Sequence, residues 1–495
     1  MKRSGSPSFI LTLKLNTSPD DEKILSDRFF CAFLMKNRLI RHARKRLSSM
    51  RQDPEYRNMM KKRHDLADKN DRDSKKLRAD VNLDLKDIRL RYGLSEYQFH
   101  EWIRLQQHRY AAEIDSFTAQ KVATSVWQSV ETVLFRKGKS IRFQRLEALS
   151  SLEGKNNAAG IRFKGGRLHW NGLEIQPQIR KGDLYAREAL DHRVKYCRIV
   201  RKAMGISVHY YLQLVLEGIP PKKHSFINGR AGIDPGVSSE AVFSENGCLL
   251  KELAPDRHNI EKKVRLIRRK MDRSRRANNP EHYHEDGTIR KIRKPWHYSG
   301  TYRKDRMRLK TLLRRNADTV HQEEECLANE ILCFYGSDII TEKMNYKALQ
   351  KRAQEDSFTK DGRYRSKKRF GKSLARHAPA RFLKILERKL SYTGKTIFYV
   401  DTWKFKASQY DHTLGTYTAA GLSDRSKTVG GFLVQRDLYS AFLLWAAADE
   451  TTVDRNLCIG TFPLYLEYQN ICISRLLKDG RQHPSSFGLK DFEAL

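Results

Sequence analysis

The seven cysteines, Cys31, Cys197, Cys248, Cys326, Cys333, Cys458 and Cys472, form no C-x-x-C pair. An odd, scattered set excludes a disulfide framework and suggests reduced thiols. No run of 18 apolar residues and no lipidation signature appears, which argues against a membrane partner. The opening stretch "MKRSGSPSFILTLKLNT" has a basic flank, but Thr12 and Lys14 break its apolar run. It fails as a secretory signal. Acids are also scarce: 58 Asp and Glu stand against 96 Lys and Arg, a formal net charge of +38. That excess is far more than solubility requires and points to a polyanionic partner. With 39% hydrophobic residues the chain still has material for cores, so it is no disordered basic tail. Its 495 residues exceed one typical core, and two to four domains are expected.

Phe9, Leu11, Leu13 and Leu15 alternate, which predicts a strand with one buried face. Residues 20–120 then carry helical spacing, with Leu25, Phe29, Phe33, Leu34 and Leu39 on one side. Between Arg41 and Asp80 fourteen Lys and Arg meet seven Asp and Glu. A solvated face and a nucleic-acid contact stand level there. Ser95-x-x-Gln98 resembles a capping box opening a helix that runs on to Phe135. From Arg136 to Gly218 short alternating segments such as "SIRF" and "HYYLQLVLEG" predict a small β-barrel or wedge-shaped sheet. The isolated first strand is expected to pair into it, with the helical segment as an insertion.

After the linker "GIPPKKHSFINGR", strands are expected at 231–234, 240–244 and 248–253, two of them joined by the hairpin-like "SENG". A strand ending in Asp and followed by a hairpin is how an RNase H-like sheet begins. Asp234-Pro235-Gly236 is good turn chemistry on its own, because Pro235 pre-sets φ and Gly236 tolerates a positive one. The stretch 256–315 holds 21 Lys and Arg against 7 acids, +14 in sixty residues. It predicts two long helices whose Arg268, Arg269, Arg275 and Arg276 track phosphates, around a loop with Trp296, His297 and Tyr298.

Two further carboxylates stand in settings like that of Asp234. Glu342 closes the short apolar strand Ile339-Ile340, just before Asn345 and a helix. Asp437 lies in the first turn of a helix whose Leu438, Ala441, Phe442 and Trp445 face a core. Alone, Glu342 is a surface residue and Asp437 a carboxylate favoured by the helix dipole. Together, three acids at strand ends and a helix start suit two Mg²⁺ ions, which bind hard oxygen ligands and act on phosphodiesters.

"GIDPG", "ITEKMN" and "RDLYSAF" resemble the three RuvC motifs of the transposon-encoded TnpB family and its relatives, the compact type V CRISPR effectors. The spacings of 108 and 95 residues fit that family. So do the basic helical pair between the first two motifs and the stretch "FGKSLARHAPARFLKILERKLSYTGKTIFYVDTWKFKASQ" after the second. The resemblance implies a multidomain α/β chain. A wedge β-barrel would occupy 1–15 and 126–229, and an α-helical recognition lobe 16–125. The split RNase H-like RuvC nuclease domain would span 230–403 and 437–495. It implies an RNA-guided DNA endonuclease of the bacterial cytoplasm, nucleoid-associated, acting as monomer or homodimer. Asp234 would bridge two Mg²⁺ ions, replaceable by Mn²⁺, with Glu342 and Asp437 each completing one shell. Guide RNA and target DNA would be the partners, and the protein would read a short flanking motif.

The chain departs from the family in two places. No cysteine lies between Cys333 and Cys458, so residues 404–436 form a degenerate insertion, with only His412 as a soft ligand. No zinc is expected there. Tyr439-Ser440 also replaces the usual Asn-Ala. Alternatives are a type V effector using CRISPR RNA, a guided binder that represses without cutting, a basic RNA-chaperone protein, and a DDE-type transposase.

Overall fold

The computed structural model describes residues 7–69, 71–135, 138–205, 207–256, 260–350, 358, 362, 370–418, 421 and 424–492. It divides into two compact units, residues 1–221 and 222–495.

In the first unit the opening strand β1 (Ser8–Leu15) buries every second residue, Phe9, Leu11, Leu13 and Leu15. Five helices follow: α1 (Pro19–Gln52), α2 (Pro54–Asp65), α3 (Arg72–Arg91), α4 (Glu96–Gln107) and α5 (Ser116–Phe135). Then come β2 (Ser151–Glu153), β3 (Arg162–Lys164), β4 (Arg167–Trp170), β5 (Leu173–Ile175), β6 (Pro177–Gln178), α6 (Leu184–Leu190), β7 (Val194–Met204) and β8 (Ser207–Glu217). Strand β1 joins this later sheet as expected, antiparallel to β8 from Ser8 opposite Glu217 to Lys14 opposite Tyr211. The sheet order β2-β7-β8-β1-β6 is open, and β3-β4-β5 form a separate three-stranded sheet. The expected barrel does not close among the described residues.

The helix expected from Ser95 to Phe135 is broken. Ser95 caps α4 by accepting the Gln98 N–H, but a new cap intervenes. Asp115 Oδ1 takes the N–H groups of Phe117 and Thr118, each at 2.9 Å, and so starts α5 afresh. Residues 125 and 126, the expected lobe boundary, both lie inside α5. Helices α1, α4 and α5 share one hydrophobic core with the sheet. Helices α2 and α3 have a small core of their own, Leu66, Val81 and Leu85.

The second unit opens with the expected strands β9 (Arg230–Pro235), β10 (Ser239–Ser244) and β11 (Gly247–Glu252), followed by the basic pair α7 (Glu261–Ala277) and α8 (Gly300–Glu330). Next are β12 (Asp338–Glu342), α9 (Tyr346–Leu349), α10 (Gly371–His377), α11 (Pro379–Ser391), β13 (Phe398–Val400) and α12 (Thr402–Phe405). Two small hairpins, β14 (Tyr410–Asp411) with β15 (Thr416–Tyr417) and β16 (Ser426–Val429) with β17 (Phe432–Gln435), lead into α13 (Arg436–Trp445) and α14 (Arg455–Lys478). The sheet runs β11-β10-β9-β12-β13. Strands β9, β10 and β11 are antiparallel, while β12 runs parallel to both β9 and β13.

Each face of this sheet carries its own core. Ala241, Phe243 and Ile340 pack with α13 and α14 on one side. Ala231, Ile233, Val242 and Ile339 pack with α8 and α11 on the other. The two-residue period of a strand then assigns every neighbouring side chain to a face. Asp234 and Glu342 fall on the α13 side. The expected Asp-Pro-Gly turn lies one step later: Asp234 and Pro235 are still strand, opposite Ala241 and Glu240, and the chain reverses over residues 236–239, closed by Gly236 N–H donating to Ser239 O at 2.9 Å. Gly236 is not in the left-handed region. Glycine is needed there because a Cβ would lie 2.6 Å from Ser239 O.

Candidate active site

The register brings Asp234 and Glu342 to the same level. Thr341 pairs with Ile233, so the next residues, Glu342 and Asp234, end adjacent parallel strands about 4.8 Å apart. The Thr341 hydroxyl bonds the Ile233 carbonyl at 2.8 Å and pins that register in the core. Both carboxylates therefore sit at the carboxyl ends of parallel strands, where α/β sheets present ligand crevices.

Asp437 arrives by helix packing. Helix α13 lies on β9, β10 and β12, and Gly232 permits the contact. A Cβ on Gly232 would stand 2.1 Å from Ala441 O and 2.3 Å from Trp445 N. Asp437 is about one turn before Ala441, and Asp234 is two residues past Gly232 on the same face. The amino end of α13 thus sits beside Asp234. Its start is fixed by a buried amide network. The Gln435 side chain accepts Leu438 N–H at 2.6 Å. Gln435 N–H donates to Gln469 Oε1 at 2.8 Å, as does the Tyr465 hydroxyl at 2.7 Å.

The site is a concentration of negative charge. Burial and the charges of Asp437 and Glu342 hold the Asp234 carboxyl well above the usual range, against a smaller pull from Arg436. Burial pushes Glu342 up to about 7, while the Ala407 N–H beside it favours the ionised form. Asp437 meets cations instead, Arg436 at 3.4 Å and Arg425 at 4.0 Å. The donor set is all hard oxygen, which suits Mg²⁺ or Mn²⁺. Among the described residues no group of three His, Cys, Asp or Glu side chains is placed to hold a metal ion, so Asp234, Glu342 and Asp437 are electrostatic neighbours and not a preformed metal site.

A fourth acid escaped the sequence reading. Glu240 on β10 is fully buried, and neither carboxyl oxygen meets a hydrogen-bond partner. Burial, the strongest cause, and the charges of Asp234 and Glu324 all raise its carboxyl well above the usual range. It occupies the opposite face from Asp234, by the same two-residue period. Gln435 and Gln469 were also missed; glutamine is no preferred N-cap, so the sequence carried no signal.

These charges give a pH-dependent prediction. Glu342 has a folded pKa above its ordinary value of 4.5. Its contribution to stability is therefore fully present below pH 4.5 and is lost as pH rises through about 7. A displacement of that size corresponds to about 3 kcal/mol. Without divalent ions the melting temperature should fall between pH 5 and pH 8. Mg²⁺ should raise it more at pH 8 than at pH 6. Glu342→Gln should flatten the metal-free profile and shrink the Mg²⁺ gain, and a differential scanning series would show both.

The four arginines expected on nucleic acid divide into two pairs. Arg275 and Arg276 both bind Asp272, at 2.7 and 2.8 Å. Their guanidinium groups also lie over Trp296 and Tyr283 respectively. They brace the 278–299 loop, where Asn279 donates to Arg275 O and His297 O at 2.8 Å. Arg268 and Arg269 are exposed, make no ion pair among the described residues, and line a groove of about 870 Å³ with Arg265, Arg273, Val264 and Leu313. Reversing both charges, Arg268→Glu with Arg269→Glu, should weaken RNA retention. It should also reduce the slope of log affinity against log salt by about two. An unchanged slope would place this groove outside the nucleic-acid path.

His412 turns into the core. It is buried, and its Nδ1 lies 2.7 Å from the Tyr439 hydroxyl, with its ring against Phe462 at 4.6 Å. Lys427 Nζ lies 4.2 Å above the Tyr439 ring. Tyr439 thus ties the 404–436 segment to α13 by packing. That is a physical reason for tyrosine at this departure from the motif.

No helix is long and apolar enough to cross a membrane among the described residues. No family model matches the chain, and no curated protein does. Among solved structures, a complex of Cas12f1 with sgRNA and target DNA is similar with a TM-score of 0.44 and 11% identity, covering 88% of this chain and 98% of that one. A CRISPR-Cas12f ternary complex gives a TM-score of 0.25 and 14% identity, covering 90% and 100%. At these scores neither likeness speaks to the chemistry of this chain.

Proposed function

We propose that the chain is an RNA-guided DNA endonuclease of the TnpB-like kind, cutting phosphodiesters at Asp234, Glu342 and Asp437. What supports this is that the charges of Glu342 on β12 and Asp437 on α13 both reach Asp234 on β9. The β11-β10-β9-β12-β13 order, antiparallel and then parallel, supports an RNase H-like domain. The net charge of +38 supports nucleic acid as the substrate.

When bound, two Mg²⁺ ions would supply Lewis acidity to the attacking and leaving oxygens of an in-line displacement. Asp234, between its two neighbours, would hold both ions, Glu342 one and Asp437 the other. Arg436 and Arg425 orient Asp437 and offset charge while the site is empty of substrate. The Ala407 N–H keeps Glu342 aimed and favours its ionised form. Guide RNA and target DNA are the proposed partners, with the basic groove on α7 tracking phosphates.

Expression with native flanking DNA, followed by sequencing of the co-purified RNA, tests the reading. One structured RNA with a variable end supports a transposon-type guide, and that RNA then programs a plasmid-cleavage assay. Repeat–spacer RNA supports a type V effector. Only heterogeneous RNA together with no Mg²⁺-dependent cutting would overturn the proposal.

A further inference from the structure

The segment from Val400 to Ala407 starts and ends at Glu342. Val400 is the register partner of Glu342 on β13, and Ala407 brings its backbone N–H back to the same carboxylate. Six residues lie between them, so the loop tip stands within about 10 Å of Glu342. At that tip Trp403 is 86% exposed, the most exposed of the large hydrophobic side chains among the described residues.

The exposure is built in. Asp401 Oδ1 accepts the N–H groups of Trp403 at 2.9 Å and Lys404 at 3.4 Å. Asp401 N–H donates to Glu450 O at 2.7 Å. Phe405, fully buried, anchors the far side of the turn in the core. A hydrogen-bonded turn thus presents a bare indole within about 10 Å of Glu342, flanked by exposed Lys404 and Lys406. Tyr417, 51% exposed, lies under the Lys406 ammonium at 5.9 Å. Aromatic faces interleaved with lysines are the chemistry that holds unpaired bases, and stacking serves any base because every base has a π-face.

We propose that Trp403 is a positioning residue, a stacking platform for an unpaired base next to the phosphate held at Asp234, Glu342 and Asp437. The ligand class is single-stranded nucleic acid, since a duplex buries the base faces that an indole needs. This rests on the phosphodiester reading above.

The test uses the full-length, guide-loaded protein on a short single-stranded oligonucleotide, with 2-aminopurine beside the cut position. Trp403→Ala should raise KM about ten-fold and abolish the 2-aminopurine quenching seen on metal-free binding. Trp403→Phe should restore both, whereas Trp403→Leu, equally apolar, should not. Wild-type cutting with an unchanged KM in Trp403→Ala would overturn the platform alone. Equal rescue by Leu and Phe would likewise reduce Trp403 to an apolar contact. An altered oligomeric size in Trp403→Ala at unchanged KM would make it a protein contact and overturn the proposal. A wild type that cuts no strand would remove the phosphodiester reading and the platform with it.

Discussion

Asp234→Ala should lower DNA cleavage by more than about 1,000-fold, the scale on which removing one group that stabilises transition-state charge reduces turnover. Asp234 feels the charges of both Asp437 and Glu342. Without it, on the proposed two-metal reading, the remaining two carboxylates could not share a pair of ions. RNA retention and target binding should stay nearly unchanged, because they draw on basic surfaces elsewhere. The metal-free variant should also be more stable than wild type at pH 8, since one of three mutually repelling acids has gone. Cleavage, filter binding and thermal melting of the same preparation check all three. Undiminished cutting would remove Asp234 from the site.

What was legible in the sequence were features with a local cause. Strand β1 announced itself by alternation, and its pairing with β8 followed from its isolation. The β9–β10–β11 run was readable from Asp-Pro-Gly and Asn-Gly, and α13 from the spacing of Leu438, Ala441, Phe442 and Trp445. All four of those side chains are buried. The carboxylates were readable because each ends or begins such an element. What stayed hidden depends on contacts distant in sequence. Nothing near Gly232 reveals that a helix 200 residues later will press on it. The partners of Gln435 and the burial of Glu240 are equally non-local. Arg275 and Arg276 read like Arg268 and Arg269 in a charge count, and only the position of Asp272 and the aromatic loop separates them. Closure of the wedge sheet was a matter of which edges pair, which alternation alone does not encode.

The hidden contact at Gly232 yields the second large effect. Gly232→Ala adds a single methyl group at an exposed-looking step in "RAGIDPG", yet that carbon would meet two backbone atoms of α13 at 2.1 and 2.3 Å. Backbone at such distances cannot yield by a rotamer change. The helix must lift from β9, opening the core in which Phe243 meets Phe442 and Trp445 edge to face. Overpacking of this kind costs about 1–3 kcal/mol, and more where backbone must move. The displacement also carries Asp437 away from Asp234, because the Gln435–Gln469 anchor and the Gly232 contact hold the same helix at its two ends. Gly232→Ala should therefore lower the melting temperature and cut cleavage by at least about 100-fold, the cost of a misplacement near 1 Å at a reacting centre. Ala231→Gly, a neighbouring change on the opposite face, should destabilise the fold while sparing most of the activity, which separates loss of stability from loss of alignment. Full activity in a folded Gly232→Ala protein would mean that α13 does not set the position of Asp437.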